Sequence, residues 1–157
     1  MNKKNQNENI DFINQQIIKI LSADGRIAYS EIAKELKISN SLVHQRIKKM
    51  QETGIISGFS VVLSAKEIGY ETITYTGITT KEAHFAYSIA EKLKEVPEVV
   101  ECHFVSGKYA LFLKIIAANN EEFRKILYEK IHIIEGVGGT DSFISFGSAF
   151  QKNITLL

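Results

Sequence analysis

Asn40, Ser41, His44 and Gln45, followed by Lys48 and Lys49, set amides, a hydroxyl, an imidazole and two ammonium groups along a stretch in which Val43, Ile47 and Met50 recur at i, i+4 and i+7. On a helix that spacing sends the three apolar side chains to one side and the polar set to the other. Amides, hydroxyls and imidazoles hydrogen-bond base edges, and cations further along reach phosphates. A solvated face would need no more than the same polarity, so the chemistry depends on a scaffold that presents it. Other chemistries find little support. His44, His84, His103 and His132 are scattered without partners at metal-ligand spacing, and zinc-binding helices, phosphate loops, nucleophile elbows and paired catalytic Cys/His signals are absent. Cys102 and His103 are adjacent in a predicted strand, which points them to opposite faces and argues against a shared site. Cys102 reads as a small core residue. A lone cysteine forms neither an internal disulfide nor a multi-cysteine metal site. No metal, cofactor or catalytic residue is expected.

The elements that must position the polar face can be read from period and caps. Ile10, Ile13, Ile17 and Leu21 recur at helical spacing, with Asp11 placed to favour the first turn, and Ser22-Ala23-Asp24-Gly25 stops that helix. A second helix is predicted from about Tyr29 to Leu36. Ser39 is a good N-cap for a third, running to Thr53 with Gly54 as the stop. Only Lys37 and Ile38 separate the second helix from that cap. So tight a spacing predicts a helix-turn-helix, in which the second helix of the pair is offered to the major groove.

After Gly54 the pattern changes to alternation and continuous apolar runs. Ile55 to Leu63 reads as a strand or an extended linker. A strand at Thr72 to Thr79, a helix from about Ala83 to Glu95, strands at Val99 to Val105 and Tyr109 to Ala117 around the turn Ser106-Gly107-Lys108, a helix capped by Asn119 or Asn120, and a last strand from Thr140 to Phe150 complete the chain. The order βαββαβ predicts an α+β, ferredoxin-like antiparallel sheet with both helices on one face. The other face, carrying Thr, Tyr, Phe and Ile, is most economically buried against a second copy, which predicts a homodimer and larger rings.

The chain of 157 residues is 45% hydrophobic and 24% charged, with one Pro and no Trp, an ordinary globular composition. No apolar run reaches the roughly 20 residues that cross a bilayer, and residues 1–8 are polar, so a disordered arm on a cytoplasmic protein with no membrane partner is expected. The formal net charge of +1 conceals a gradient. Residues 1–58 hold nine Lys/Arg against six acids, and residues 59–157 hold ten against twelve. A basic front joined to an acidic rear suits a nucleic-acid module joined to another domain.

Ile10-Asp11, Ile17-Ile18, Asp24-Gly25-Arg26, Glu31-Ile32-Ala33, Ile38-Ser39, Val43, Arg46-Ile47, Met50, Gly54-Ile55-Ile56 and Gly58-Phe59 together resemble the N-terminal half of the Lrp/AsnC (feast/famine) transcription regulators. Val99, Glu101-Cys102-His103, Val105-Ser106-Gly107, Gly136-Val137 and Thr140 resemble that family's C-terminal effector (RAM) domain. The resemblance runs from about residue 9 to 150. It implies a winged-type helix-turn-helix domain over 9–54, a strand or linker over 55–71, a ferredoxin-like effector and oligomerisation domain over 72–150, and a tail over 151–157. It implies a regulator that binds double-stranded DNA and pairs into homodimers that assemble to octamers or related forms. An amino acid or other small-molecule effector between subunits is part of the same expectation. Carried over by residue, Ser39, Asn40 and Ser41 are the first DNA contacts, His44 and Gln45 read bases, and Arg46, Lys48 and Lys49 meet phosphates, with Arg46 alternatively bracing the bundle. The effector pocket would involve Ser106, Gly107, Lys108, Tyr109, Ala110, Thr140 and Ser142.

Several residues depart from the family pattern. Lys37 stands where the turn usually has Gly, and a positive φ there would cost a non-Gly residue on the order of 1 kcal/mol. Asn40 and Leu42 replace residues that are often Pro, and Ala28 replaces the usual Ser/Thr cap. Lys108 and Ala110 stand where acids are common near the pocket. A carboxylate there would attract the ammonium of an amino acid, whereas a lysine repels it, so a more anionic ligand or no small-molecule effector is expected; a merely solvated hairpin lysine is the plainer reading. Two alternatives share the architecture: a siroheme decarboxylase-like enzyme acting on a tetrapyrrole, and an effector-domain oligomer that modulates other regulators.

Overall fold

The computed structural model describes residues 10–152. The predicted arm at 1–8 and the end of the predicted tail lie outside the described residues. The chain divides into two compact units: the described residues up to Val61 together with those from Phe150 onward, and Val62–Ala149.

The first unit is helical. Asp11 caps α1 (Phe12–Ala23), its Oδ1 accepting from the Asn14 backbone N–H at 2.8 Å. Helix α2 (Tyr29–Leu36) starts after Ala28 with no side-chain cap, as the missing Ser/Thr predicts. Ser39 caps α3 (Asn40–Glu52) through its Oγ on the Leu42 N–H at 3.2 Å. Ile17, Leu21, Ile32, Ala33, Val43, Ile47 and Met50 form one buried cluster, so the i, i+4, i+7 stripe of α3 is its core face. Lys37 has φ 55° and ψ 42°, and it is the one non-Gly residue with positive φ among the described residues. The turn needs a left-handed residue and this chain meets that need without a glycine, at about 1–2 kcal/mol.

The segment 57–64 is neither helix nor paired strand among the described residues. In the second unit a four-stranded antiparallel sheet of order β2-β3-β1-β4 is built from β1 (Thr72–Thr80), β2 (Val99–Phe104), β3 (Leu111–Ala117) and β4 (Val137–Ile144). Helices α4 (Phe85–Leu93) and α5 (Asn120–Lys125, running into a π-helical turn at Ile126–Ile131) share a core with one face of this sheet. Leu111, Leu113, Ile115 and Ala117 alternate toward it, and across the β1–β3 register they face Ile78, Thr76, Thr74 and Thr72. The threonines are therefore inside. Thr72 donates to Asn120 Oδ1 at 2.9 Å and Thr76 shares a 2.9 Å bond with Ser142 Oγ, which satisfies two of the three buried hydroxyls. The other face carries Tyr75, Phe112, Lys114 and Phe143, with Tyr75 39% and Phe143 56% exposed.

Two expectations are corrected. Strand β4 ends at Ile144 and not at Phe150, because its partner β1 begins at Thr72; the Ser145 N–H still donates to Ile73 O at 2.8 Å, and Ser145 Oγ then accepts from the Gly147 N–H at 3.3 Å. Cys102 is exposed rather than part of the core, since β2 is an edge strand and the apolar cluster between sheet and helices stops short of it.

Candidate nucleic-acid interface and effector loop

Helix α3 is held by its core stripe, its Ser39 cap and the left-handed turn at Lys37, and it follows α2 after only three residues. Ser39, Asn40, Ser41, His44, Gln45, Lys48 and Lys49 are all exposed. Ser39 Oγ and Ser41 Oγ lie 3.1 Å apart at the helix start, where free backbone N–H groups favour an anion. The His44 ring packs edge-on against Tyr29 of α2, with centroids 4.6 Å apart, which restricts how it can turn. Lys48 forms only a loose 3.8 Å pair with Glu52, both well exposed, so its ammonium remains available to an anion. Arg46, expected beside them, is turned the other way: its Nη1 donates to Asp11 Oδ2 at 2.6 Å and to Asn14 Oδ1 at 3.0 Å. Neither anchor was read from the sequence, because Asp11 and Asn14 lie 35 and 32 residues away. The Asp11 carboxyl is held below its ordinary range first by the Asn14 N–H and then by Arg46.

The loop between β2 and β3 brings two of the effector candidates, Lys108 and Tyr109, against β4. Lys108 Nζ donates to Asp141 Oδ2 at 2.5 Å and Tyr109 OH donates to the same oxygen at 2.9 Å. The lysine also sits over the Tyr109 ring, 5.1 Å from its centroid. Lys108 and Tyr109 together pull the exposed Asp141 carboxyl below its ordinary range, and Asp141 raises Lys108. The Tyr109 ring lies on Gly77 of β1, where an added Cβ would meet it at 2.5 Å. A glycine inside a strand of Thr, Ile and Tyr is a signal of close approach by another group, and it was available in the sequence. Asp141 was missed: it is 33 residues from Lys108, and only the β1–β4 register, which sets it opposite Gly77, reveals its place. The lysine is thus not the free cation that repulsion of an ammonium assumed.

The remaining candidates are more dispersed. Ser106 and Gly107 are exposed in the loop, and the Ala110 N–H is taken by Ile78 O at 2.9 Å. Thr140 Oγ1 lies 2.8 Å from His132 Nε2, and Ser142 turns its hydroxyl to buried Thr76. Among the described residues no group of three or more His, Cys, Asp or Glu could hold a metal ion, and no helix is long and apolar enough to cross a membrane.

Comparison with known proteins agrees with this division. Residues 11–57 match the family model described as winged helix-turn-helix DNA-binding, and residues 75–154 match the Lrp/AsnC ligand binding domain. The chain is 33% identical over 146 residues to the regulatory protein AsnC of Haemophilus influenzae, covering 93% of this chain and 97% of that one. It is 38% identical over 128 residues to the HTH-type transcriptional regulator LrpA of Pyrococcus horikoshii, covering 82% and 90%. Among solved structures, AsnC of E. coli superposes with a TM-score of 0.85 at 30% identity, over 92% of this chain and 97% of that one. A feast or famine regulatory protein from M. tuberculosis, solved with L-methionine, shares the fold with a TM-score of 0.83 at 24% identity, over 90% and 95%. With a helix-turn-helix first in the chain, a ferredoxin-like ligand-domain sheet after it and relatives matched over nearly their full length, the chain belongs to the Lrp/AsnC family and is a DNA-binding regulator of that type.

Proposed function

We propose that α3 reads double-stranded DNA through Ser39, Asn40, Ser41, His44 and Gln45, with Lys48 and Lys49 on phosphates. The observation that carries this is the exposed polar face of a helix fixed on its other side by Val43, Ile47 and Met50 and introduced by a three-residue turn. Two heads act together: the open sheet face with Tyr75, Phe112 and Phe143 pairs with a second copy, and dimers assemble further toward an octamer. Pairing places two recognition helices on one duplex, which compensates for a low charge per chain. A footprint over duplexes enriched from a random pool, repeated at rising salt, tests the reading. Specific protection with log affinity falling against log salt supports it. Protection unaffected by Asn40→Ala and His44→Ala would remove the recognition-helix assignment.

The effector reading changes with Asp141 in view. Lys108 and Asp141 together offer both signs of charge, so the loop suits a zwitterion, an amino acid whose carboxylate meets Lys108 and whose ammonium meets Asp141. The L-methionine of the mycobacterial relative names the class to try first. Calorimetric titration with a panel of amino acids checks it, with Asp141→Asn and Lys108→Ala as controls. Heat from anions alone, or from none, would return the loop to the more anionic ligand or to no ligand.

A further inference from the structure

Of the basic groups on α3, Lys48 and Lys49 are exposed, whereas the Arg46 side chain is only 23% exposed and its Nε is buried without a partner among the described residues. Its Nη1 spends both hydrogens on the start of α1, one on Asp11 Oδ2 and one on Asn14 Oδ1. Asp11 is itself fixed, because its other oxygen caps α1 through the Asn14 N–H. Asn14 is buried, so its amide has little freedom to follow a moving partner. A cation committed in this way is poorly placed to reach a phosphate.

We propose that Arg46 is a positioning residue for the recognition helix and not a phosphate contact, with Asp11 and Asn14 as the fixed points that set the pitch of α3. This rests on the DNA-binding reading above. Arg46 lies in the middle of α3, between the polar front at Asn40–Gln45 and the cations at Lys48 and Lys49. A change of pitch there moves the short side chains that must meet base edges with correct geometry. The long, flexible lysines absorb the same tilt. Loss of the strut therefore lowers discrimination between sequences more than it lowers binding to phosphate, which carries no sequence information. Arginine suits the role because its planar fork is less mobile than a lysine ammonium.

The test uses the full chain and a duplex enriched from a random pool by the wild-type protein, with a scrambled duplex as reference. Affinities are measured against salt for wild type, Arg46→Ala, Asp11→Asn, the double variant and Lys49→Ala, well below each thermal midpoint. Asn caps a helix about as well as Asp, so Asp11→Asn removes the charge while keeping α1 intact. The expected result is a roughly tenfold drop in the selected-to-scrambled ratio for both Arg46→Ala and Asp11→Asn, a size comparable with one mismatched base pair. The double variant should be no worse than Arg46→Ala alone. The salt slope should be unchanged for Arg46→Ala but shallower by about 1 for Lys49→Ala. A slope reduced by about 1 in Arg46→Ala, with tighter binding by Asp11→Asn, would make Arg46 a phosphate contact and overturn the proposal. An unchanged ratio in both single variants would also overturn it. If the wild-type chain enriches no duplex, the DNA reading itself fails and the positioning role with it, an outcome distinct from the other two.

Discussion

Lys37 shows how a single residue can be legible in advance. The two-residue spacing before Ser39 demands a sharp reversal, the family resemblance supplies Gly at that place, and the backbone there is left-handed at φ 55°. Lys37→Gly is expected to raise stability by about 0.5–1 kcal/mol, read from the denaturant midpoint of the helical unit, because the left-handed strain exceeds the extra entropy that glycine loses on folding. Ser39→Ala should act in the opposite direction by about 1 kcal/mol, through loss of the bond to the Leu42 N–H. At Gly77 the expectation is steric: Gly77→Ala brings a Cβ to 2.5 Å from the Tyr109 ring. The ring must leave Asp141, costing about 1–3 kcal/mol and changing the near-ultraviolet signal of a tyrosine. Arg46 and Lys108 were not legible in the same way. Each was identified as a cation, but the carboxylate that claims it lies more than 30 residues away.

Elements were legible where one period ran unbroken and less so at their ends. The stripe Val43, Ile47, Met50 fixes α3, and the alternation of β3 gives a strand whose odd-numbered residues are buried. The end of β4 followed from no local signal, since a strand stops where its neighbour stops. The helix after β3 is a subtler case. Ile126 and Ile131 are both fully buried although they are five residues apart. A π-helical turn, with the His132 N–H on Leu127 O at 2.9 Å, brings such a pair to the same side. Leu113→Ala in the middle of β3, at the centre of the sheet core, is expected to cost about 2–5 kcal/mol, measured as a shift of the denaturant midpoint for the sheet unit.

At the scale of the whole molecule, the carboxylates set the acid limit. Asp11 is lowered from an ordinary 3.8 by the Asn14 N–H and Arg46. Glu101 is lowered from 4.5, first by its bond to Lys114. Glu98 is pushed up by burial but brought below 4.5 by Lys130 and its own backbone N–H. A carboxyl whose folded pKa lies below its unfolded value contributes stability that is present above the unfolded value and lost as pH falls through the folded one. The thermal midpoint should therefore be flat from about pH 7 to 5 and fall below about pH 4, with the helical unit losing its share as Asp11 protonates. A pH series of melts followed by helical ellipticity checks this; a midpoint that rises on acidification would contradict it. The near-neutral sum of charges is also a property of the whole chain: the basic front falls in one compact unit, and all twelve acids of the rear fall in the other, Val62–Ala149.

The sequence by itself determined which segments form elements, their order and the face of α3 that is polar, because caps, periods and turn residues act over a few residues. It also determined the family, since many weak matches in one order reinforce each other. Only the tertiary structure decided what the charged side chains do. Arg46 braces α1 instead of facing outward, Lys108 is answered by Asp141, and the threonines of β1 face the core while Tyr75 and Phe143 are left open. The reason is physical: a cation takes the carboxylate that folding brings closest, and strand register, not chain distance, sets which residues share a face.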